Sequence, residues 1–309
     1  MANRAWDGKT GGGAIGQKGL VLFFRYFNIR IGYALLFLIV PFYMLFSRQR
    51  CRSIYHYFRR QRNCTIWTSW KKTYANHLLF GQTVLDKFAI FSGKSHRYQV
   101  TVSGKTYFDA ALETGKGVVL ASAHVGNPEL AGYLLPSRDT PVCSIVFAHE
   151  AATMQALRKQ TLGKQGVNLI PVMSDLSHIF RIHEALRQKS IVTLPCDRVF
   201  TGNKNKLFPF LNGKATFPLG AYYLAAYSGA PVLSFFVMKE TTFRYHIHIR
   251  PLTEQKETET ESYHGRKADE QAVSLGRSFV QALEDLLDTY PEQWFNFYEF
   301  WKEEGTHGR

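Results

Sequence analysis

Gly117-Val-Val-Leu-Ala-Ser-Ala-His-Val-Gly-Asn-Pro-Glu129 is the stretch on which the fold turns. Its first seven residues form an unbroken run of apolar and small side chains, the signature of a short strand covered on both faces. Asn127 and Pro128 then read as a helix start, a capping side chain followed by a residue whose fixed φ suits the first turn. His124 therefore stands at the carboxyl end of a buried strand, and Glu129 in the first turn of the helix that follows. On one continuous helix a spacing of five would put the two side chains on different faces. The Gly-containing corner between strand and helix lets them turn toward each other. A histidine oriented by a carboxylate can take a proton from a hydroxyl or an amine. The plainer alternative is that Glu129 merely complements the helix dipole and that His124 is structural.

Outward from this stretch, the chain alternates from about residue 98 onward. Strands are expected at 98–103, 117–123, 142–147, 168–172, 190–194 and 231–237. Helices are expected at 128–136, 150–163, 175–188 and 217–228. Short apolar strands alternating with helices give an α/β fold, a mostly parallel central sheet flanked by helices. Phe243-Arg-Tyr-His-Ile-His-Ile249 alternates strictly and reads as an antiparallel edge strand. A glutamate-rich loop at 253–267 precedes a long helix at about 268–289, with Phe279, Val280, Leu283, Leu286 and Leu287 on its apolar face. The aromatic segment Pro291–Trp301 is expected to pack near the site. Ligands of such sheets gather beyond the carboxyl ends of the strands. That rule puts His124, Ala148–Glu150 and Pro195-Cys-Asp197-Arg198 on one rim.

The amino-terminal quarter is of another kind. Residues 1–72 hold thirteen Lys and Arg against one acid, Asp7, whereas the other 237 residues carry 25 basic and 23 acidic side chains. Within that quarter Ile31–Ser47 runs for seventeen residues without a charge. This is marginal for a bilayer span of about twenty residues, and Pro41 is expected to kink it. No cleavage pattern of a signal peptide follows it. Arg48, Arg50, Arg52, Arg59, Arg60 and Arg62, interleaved with Tyr55, Phe58, Trp67 and Trp70, suit the anionic cytoplasmic face of a membrane. A nucleic-acid surface would leave the apolar run unexplained. A buried helix hairpin would require Arg25 and Arg30 to reach solvent. Residues 1–19 thus read as a polar arm, 20–72 as a membrane-anchoring helical segment, and 73–309 as the catalytic domain. Gly8-Lys9-Thr10 lacks the earlier glycine and the preceding strand of a phosphate loop.

The motifs resemble the bacterial lipid A biosynthesis acyltransferases (lauroyl and myristoyl transferases), within the wider lysophospholipid acyltransferase group. His124 to Glu129 matches the family's His-x4-Glu/Asp block, and Met154-Gln-Ala-Leu-Arg158 looks like its second. Ile191–Arg198 with Phe208–Pro218, and Leu224–Pro231, are similar to the third and fourth, and Pro291-Glu-Gln-Trp294 to its ending. Pro128 stands where the family often has Trp, and Arg198 where it often has Gln. The stretch Trp6–Gly13 looks like acyltransferases serving other lipid or pigment pathways. The resemblance implies a membrane-associated O-acyltransferase at the cytoplasmic face of a bacterial inner membrane. In it His124 would be general base on the acceptor hydroxyl, and Glu129 would hold the imidazole. Acyl carrier protein or acyl-CoA would be the co-substrate, with no further cofactor, and the acceptor a lipid A precursor. An amino-acid lipid, a lysophospholipid or a polyene-type lipid is the alternative acceptor, and a non-catalytic membrane lipid-binding protein the alternative class.

By the same resemblance Arg158 is the oxyanion candidate, against a solvated helix residue beside Lys159. Asn127, Asp197, Arg198 and Lys214 complete the substrate-binding set, to position the site or bind lipid phosphate, and for Lys214 simple exposure is the alternative. The four cysteines have neither metal nor redox spacing and read as reduced thiols. His246 and His248 on one strand face, and His178 and His183 on one helix, lack partners at zinc-site spacing, so no metal is expected.

Overall fold

The computed structural model describes residues 13–134, 140–147, 156, 159, 167–172, 177–199, 204–252 and 262–301. Four helices come first: α1 (Gly13–Tyr26), α2 (Ile29–Phe46), α3 (Arg48–His56, running into a π-helical turn at Tyr57–Gln61) and α4 (Ile66–Phe91). There follow β1 (Gln99–Ser103), α5 (Lys105–Glu113), β2 (Val118–Ser122), α6 (Ala131–Leu134), β3 (Val142–Phe147), β4 (Val167–Val172), α7 (Ser177–Arg187) and β5 (Ile191–Pro195). The remainder is β6 (Asn205–Phe210), β7 (Gly213–Pro218), α8 (Gly220–Ser228), β8 (Val232–Lys239), β9 (Arg244–Pro251) and α9 (Arg266–Thr289).

The main sheet runs β1-β9-β8-β2-β5-β3-β4, and every neighbouring pair except β8 with β9 is parallel. Side chains alternate across it as the pleat requires. Val119 and Ala121 of β2 face a core built with α7, α8, α9 and the carboxyl-terminal aromatics. Val118 and Leu120 face a second core built with α1, α2, α4 and α5. All five residues of β2 are buried, as an unbroken apolar run in the middle of a covered sheet must be.

Several expectations need correction. β9 is antiparallel to β8 but is not an edge, because β1 pairs with its outer side from Gln99 opposite Arg244 to Ser103 opposite His248. The stretch Phe208–Pro218, matched above to the family's third block and assigned no element there, lies in the β6–β7 hairpin, closed by Leu211 at φ +53° and Asn212. Its period of two was present in the sequence: Phe208, Phe210, Ala215 and Phe217 are buried while Leu207, Pro209 and Lys214 are exposed. Pro41, expected to kink the apolar run, lies inside α2. Proline leaves the carbonyl four residues back without its helical partner, and the Tyr74 hydroxyl donates to that carbonyl of Phe37 at 3.4 Å. The boundary drawn between residues 72 and 73 falls within α4, a single 26-residue helix. The helix expected at 150–163 lies almost wholly outside the described residues.

Candidate active site

β2 and β5 are parallel neighbours, with Ser122 opposite Pro195, so the residues just past their ends meet. The Cys196 N–H donates to the Ser122 carbonyl at 2.7 Å, which brings Asp197 beside His124. One carboxylate oxygen, Oδ1, lies 2.6 Å from His124 Nδ1. The other, Oδ2, accepts from the His124 backbone N–H at 2.9 Å and from the Trp294 indole at 3.3 Å. Asp197 is 1% exposed, while the His124 side chain keeps 22% of its surface open.

The loop that carries His124 is held on both sides. Its carbonyl accepts from Phe295 N–H at 2.8 Å, and the Gly126 N–H donates to the Gln293 carbonyl at 2.8 Å. Asn127 N–H donates to the Val237 carbonyl at 2.8 Å. Gly126 has φ +52°, and a Cβ there would stand 2.1 Å from the Val237 carbonyl oxygen. Only glycine permits that approach.

The electrostatics follow from the packing. Burial would raise the Asp197 pKa, but the imidazole, the hydrogen bonds from His124 and the Arg198 charge together bring it down to about 2. Asp197 is therefore ionised at neutral pH and can only accept, so Nδ1 of His124 carries the proton and Nε2 the lone pair. Burial lowers the His124 pKa, and Arg198 and Lys87 add to that against the opposing pull of Asp197. The imidazole is neutral at pH 7, the form a base needs.

The sequence-derived candidates divide. His124 and Asp197 are joined. Glu129 was expected to hold the imidazole, but the carboxylate on Nδ1 belongs to Asp197, and Glu129 Oε2 pairs with Lys87 Nζ at 2.7 Å. The reason is local: Pro128–Leu130 is a 3₁₀ turn rather than the start of a regular helix. Asn127 makes no side-chain cap there. It is buried, and its amide donates to the Thr83 carbonyl at 3.2 Å, which makes it a brace for the loop. Arg198 is partly buried beside Asp197, its guanidinium 5.8 Å from the centre of the Tyr298 ring. Lys214 is exposed on β7, opposite Pro209 in the separate hairpin. Arg158 and Ala148–Glu150 lie outside the described residues.

Three contributors escaped the sequence reading: Lys87, Thr83 and Gln293. Two come from α4, forty residues before the motif, where nothing in the local pattern singled them out. Gln293 belongs to the Pro-Glu-Gln-Trp ending, but its role there was not foreseen. It forms a pair of bonds with the Lys239 backbone, accepting at 2.9 Å and donating at 2.7 Å. Elsewhere, the four cysteines are free thiols, and His246 and His248 stack with ring centres 4.1 Å apart.

The family model described as "Bacterial lipid A biosynthesis acyltransferase" matches residues 74–303. No curated protein sequence matches the chain. Among solved structures the chain is similar to the 1-acyl-sn-glycerophosphate (LPA) acyltransferase PlsC from Thermotoga maritima, at 12% identity and a TM-score of 0.35, over 87% of this chain and 96% of that one. A likeness that distant carries no inference about the chemistry.

Proposed function

The chain belongs to the bacterial lipid A biosynthesis acyltransferase family and is a lipid acyltransferase, and from that premise we propose that it moves a fatty acyl chain from a thioester to a hydroxyl of a lipid A precursor. The donor is acyl carrier protein or acyl-CoA. Nε2 of His124 accepts the proton of the acceptor hydroxyl as its oxygen attacks the thioester carbonyl. Asp197 fixes the tautomer and stabilises the imidazolium that forms. Collapse of the tetrahedral intermediate breaks the carbon–sulfur bond, and the leaving thiolate takes the proton back from Nε2. The acceptor is itself the nucleophile, so no acyl-enzyme is required. Glu129 acts with Lys87 to place the loop. Lys214 stays a proposal for lipid phosphate, and Arg158 for the oxyanion.

The observation that carries this reading is the 2.6 Å contact between His124 Nδ1 and the buried Asp197. A base for a hydroxyl needs that partner and that tautomer; a merely structural histidine does not.

In this reading the reaction runs at the cytoplasmic face of a bacterial inner membrane, and α2 supports a membrane-bound position. α2 is the one helix among the described residues long and apolar enough to cross a bilayer, with a mean hydropathy of 2.0 over 18 residues. Its Ile29, Gly32, Tyr33, Leu36 and Val40 are buried, while Ile31, Leu35, Leu38, Phe42 and Leu45 are exposed. The buried stripe packs along α4, which carries Lys71, Lys72, Asp86 and Lys87 and cannot enter hydrocarbon. An α2 seated in the interface, apolar face down and with the α3 arginines at headgroup level, satisfies both faces.

The test is thiol release from acyl carrier protein or acyl-CoA by the full chain in lipid vesicles supplied with a lipid A precursor. His124→Ala is expected to stay folded and vesicle-bound while transfer disappears. Turnover within a few-fold of the parent would rule out the base.

A further inference from the structure

His246 and His248, which the lipid reaction leaves unused, stand on β9, two strands away from β2. β1 runs alongside, with Thr101 opposite His246 and Ser103 opposite His248, and residues two apart share a face. Ser103 therefore lies on the histidine face, and its Oγ is 2.7 Å from His246 Nε2. The other ring nitrogen, Nδ1, is 3.2 Å from Glu240 Oε1. Glu240 is fixed by the turn between β8 and β9, where its N–H donates to the Arg244 carbonyl at 2.9 Å. A carboxylate only accepts, so Nδ1 holds the proton and Nε2 the lone pair, and the Ser103 hydroxyl must donate to it. Hydroxyl, imidazole and carboxylate in that order are the parts that activate a serine.

The surroundings suit the same chemistry. The His248 ring stacks on that of His246 with centres 4.1 Å apart. Burial, with the charges of His246 and Arg250, brings the His248 pKa down to about 4, so this ring adds no charge against an imidazolium forming beside it. After Ser103 the chain turns at Gly104, φ +79°, directly into α5, whose first-turn N–H groups have no partner within the helix. A strand–turn–helix corner is also where hydrolase sheets expose their serine. Ser103 is exposed on the edge strand, and the His246 and Glu240 side chains keep 23% and 30% of their surface open.

We propose that Ser103, His246 and Glu240 form a second catalytic site, a serine-hydrolase triad for short acyl esters presented from solvent. Oγ attacks the ester carbonyl while its proton passes to Nε2 of His246. The carbon–oxygen bond to the alcohol breaks, the leaving alkoxide takes that proton, and the acyl group stays on Ser103. Water then attacks the acyl-serine, again with Nε2 as base. The carbon–Oγ bond breaks, Oγ regains the proton, and a carboxylic acid leaves. The site shares no residue with lipid transfer.

The test uses the full chain, with and without His124→Ala. Each is treated with p-nitrophenyl acetate and, separately, with phenylmethylsulfonyl fluoride, and adducts are mapped by mass spectrometry. An acetyl and a sulfonyl group are expected on Ser103 in both chains, formed about 100-fold or more faster than on other exposed serines. His246→Ala is expected to slow adduct formation on Ser103 by about 10²- to 10⁴-fold, the range of a positioned base. Glu240→Gln should slow it by about tenfold or more, because Nδ1 loses its fixed acceptor. No adduct on Ser103, or one formed at the rate of other serines, overturns the proposal, as does an unchanged rate in either variant. Should a variant fold poorly, the comparison of Ser103 with other serines in the parent chain still decides. Failure of the lipid-transfer reading leaves this result untouched, since His124 takes no part in it.

Discussion

Replacing Asp197 by asparagine should disable the base without removing a single heavy atom from the site. Oδ2 of Asp197 accepts from two fixed donors, the His124 N–H at 2.9 Å and the Trp294 indole at 3.3 Å. An amide has only one acceptor oxygen, and those two donors claim it. Its NH₂ then faces Nδ1 of His124, which must accept, and the imidazole proton moves to Nε2. That is the tautomer that cannot take a proton from an acceptor hydroxyl. Flipping the amide restores the useful tautomer but leaves two buried donors unpaired, at about 1–3 kcal/mol each, or about 2–6 kcal/mol together. The competent form would then be rarer by roughly 30-fold to 10⁴-fold. A positioned general base contributes about 10²–10⁴ in rate, so kcat should fall by about 10²–10⁴ in Asp197→Asn. The assay is thiol release at saturating donor, with thermal unfolding of the same preparation as the folding control. A folded Asp197→Asn protein turning over within threefold of the parent would refute the reasoning.

Other consequences are as direct. The acidic limb of kcat/KM should lie below pH 6.5, because burial lowers the His124 pKa and only the neutral ring is a base. Lys87 is one of the cations holding that pKa down, so Lys87→Met should move the limb to higher pH, and a limb that stays or moves lower contradicts the assignment. Lys239 bonds to Asp86 at 2.7 Å, with the two side chains 3% and 0% exposed. Lys239→Met leaves the buried carboxylate with its tyrosine donors, Tyr33, Tyr98 and Tyr245, but without its counter-charge, and should cost about 3–5 kcal/mol of unfolding free energy by urea titration; a loss under about 1 kcal/mol would argue against the pair. Phe42 is 63% exposed on α2. Phe42→Glu should weaken vesicle sedimentation by about tenfold or more, from about 1.5–3 kcal/mol of lost apolar burial, with unfolding unchanged; unaltered sedimentation would take α2 off the membrane.

The sheet was legible because its strands are short apolar runs between helix signals, and β2, β3, β4, β5 and β8 fall within two residues of where periodicity puts them. The order of the strands was not, since β1 joins the sheet beside β9, and no local pattern encodes a partner 145 residues away. In the same way, His124 announced itself by its place at the end of a buried strand, but its partner did not. Sequence proximity favoured Glu129; parallel pairing of β2 with β5 delivered Asp197 from 73 residues further on. The rim rule had placed Asp197 on the right edge, and the remaining step, which carboxylate reaches Nδ1, depends on a 3₁₀ turn at Pro128–Leu130 that a helix-start reading does not foresee.

One helix ties the membrane-facing surface to the chemistry. At 100° per residue, Gly81 and Leu85 of α4 lie on one side. There α2 approaches so closely that a Cβ on Gly81 would meet Leu36 at 2.9 Å, and one on Gly32 would meet Leu85 at 3.1 Å. The opposite side carries Lys72, Asn76, Thr83, Asp86 and Lys87. Lys72 pairs with Glu292, and Asn76 donates to the carbonyls of Glu292 and Trp294 at 2.9 and 2.8 Å. Thr83 accepts from Asn127, Asp86 from Lys239, and Lys87 pairs with Glu129. Each of these contacts ends on the loop that bears His124 or on a segment bonded to that loop. Tyr33 of α2 reaches across to Asp86 at 2.5 Å and so joins the two sides. A segment that looks in the sequence like a detachable anchor is thus part of the scaffold that fixes the imidazole. Trimming the chain at residue 72 would cut α4 near its start, taking Lys72 from Glu292, Tyr33 from Asp86 and the whole of α2 from Gly81 and Leu85.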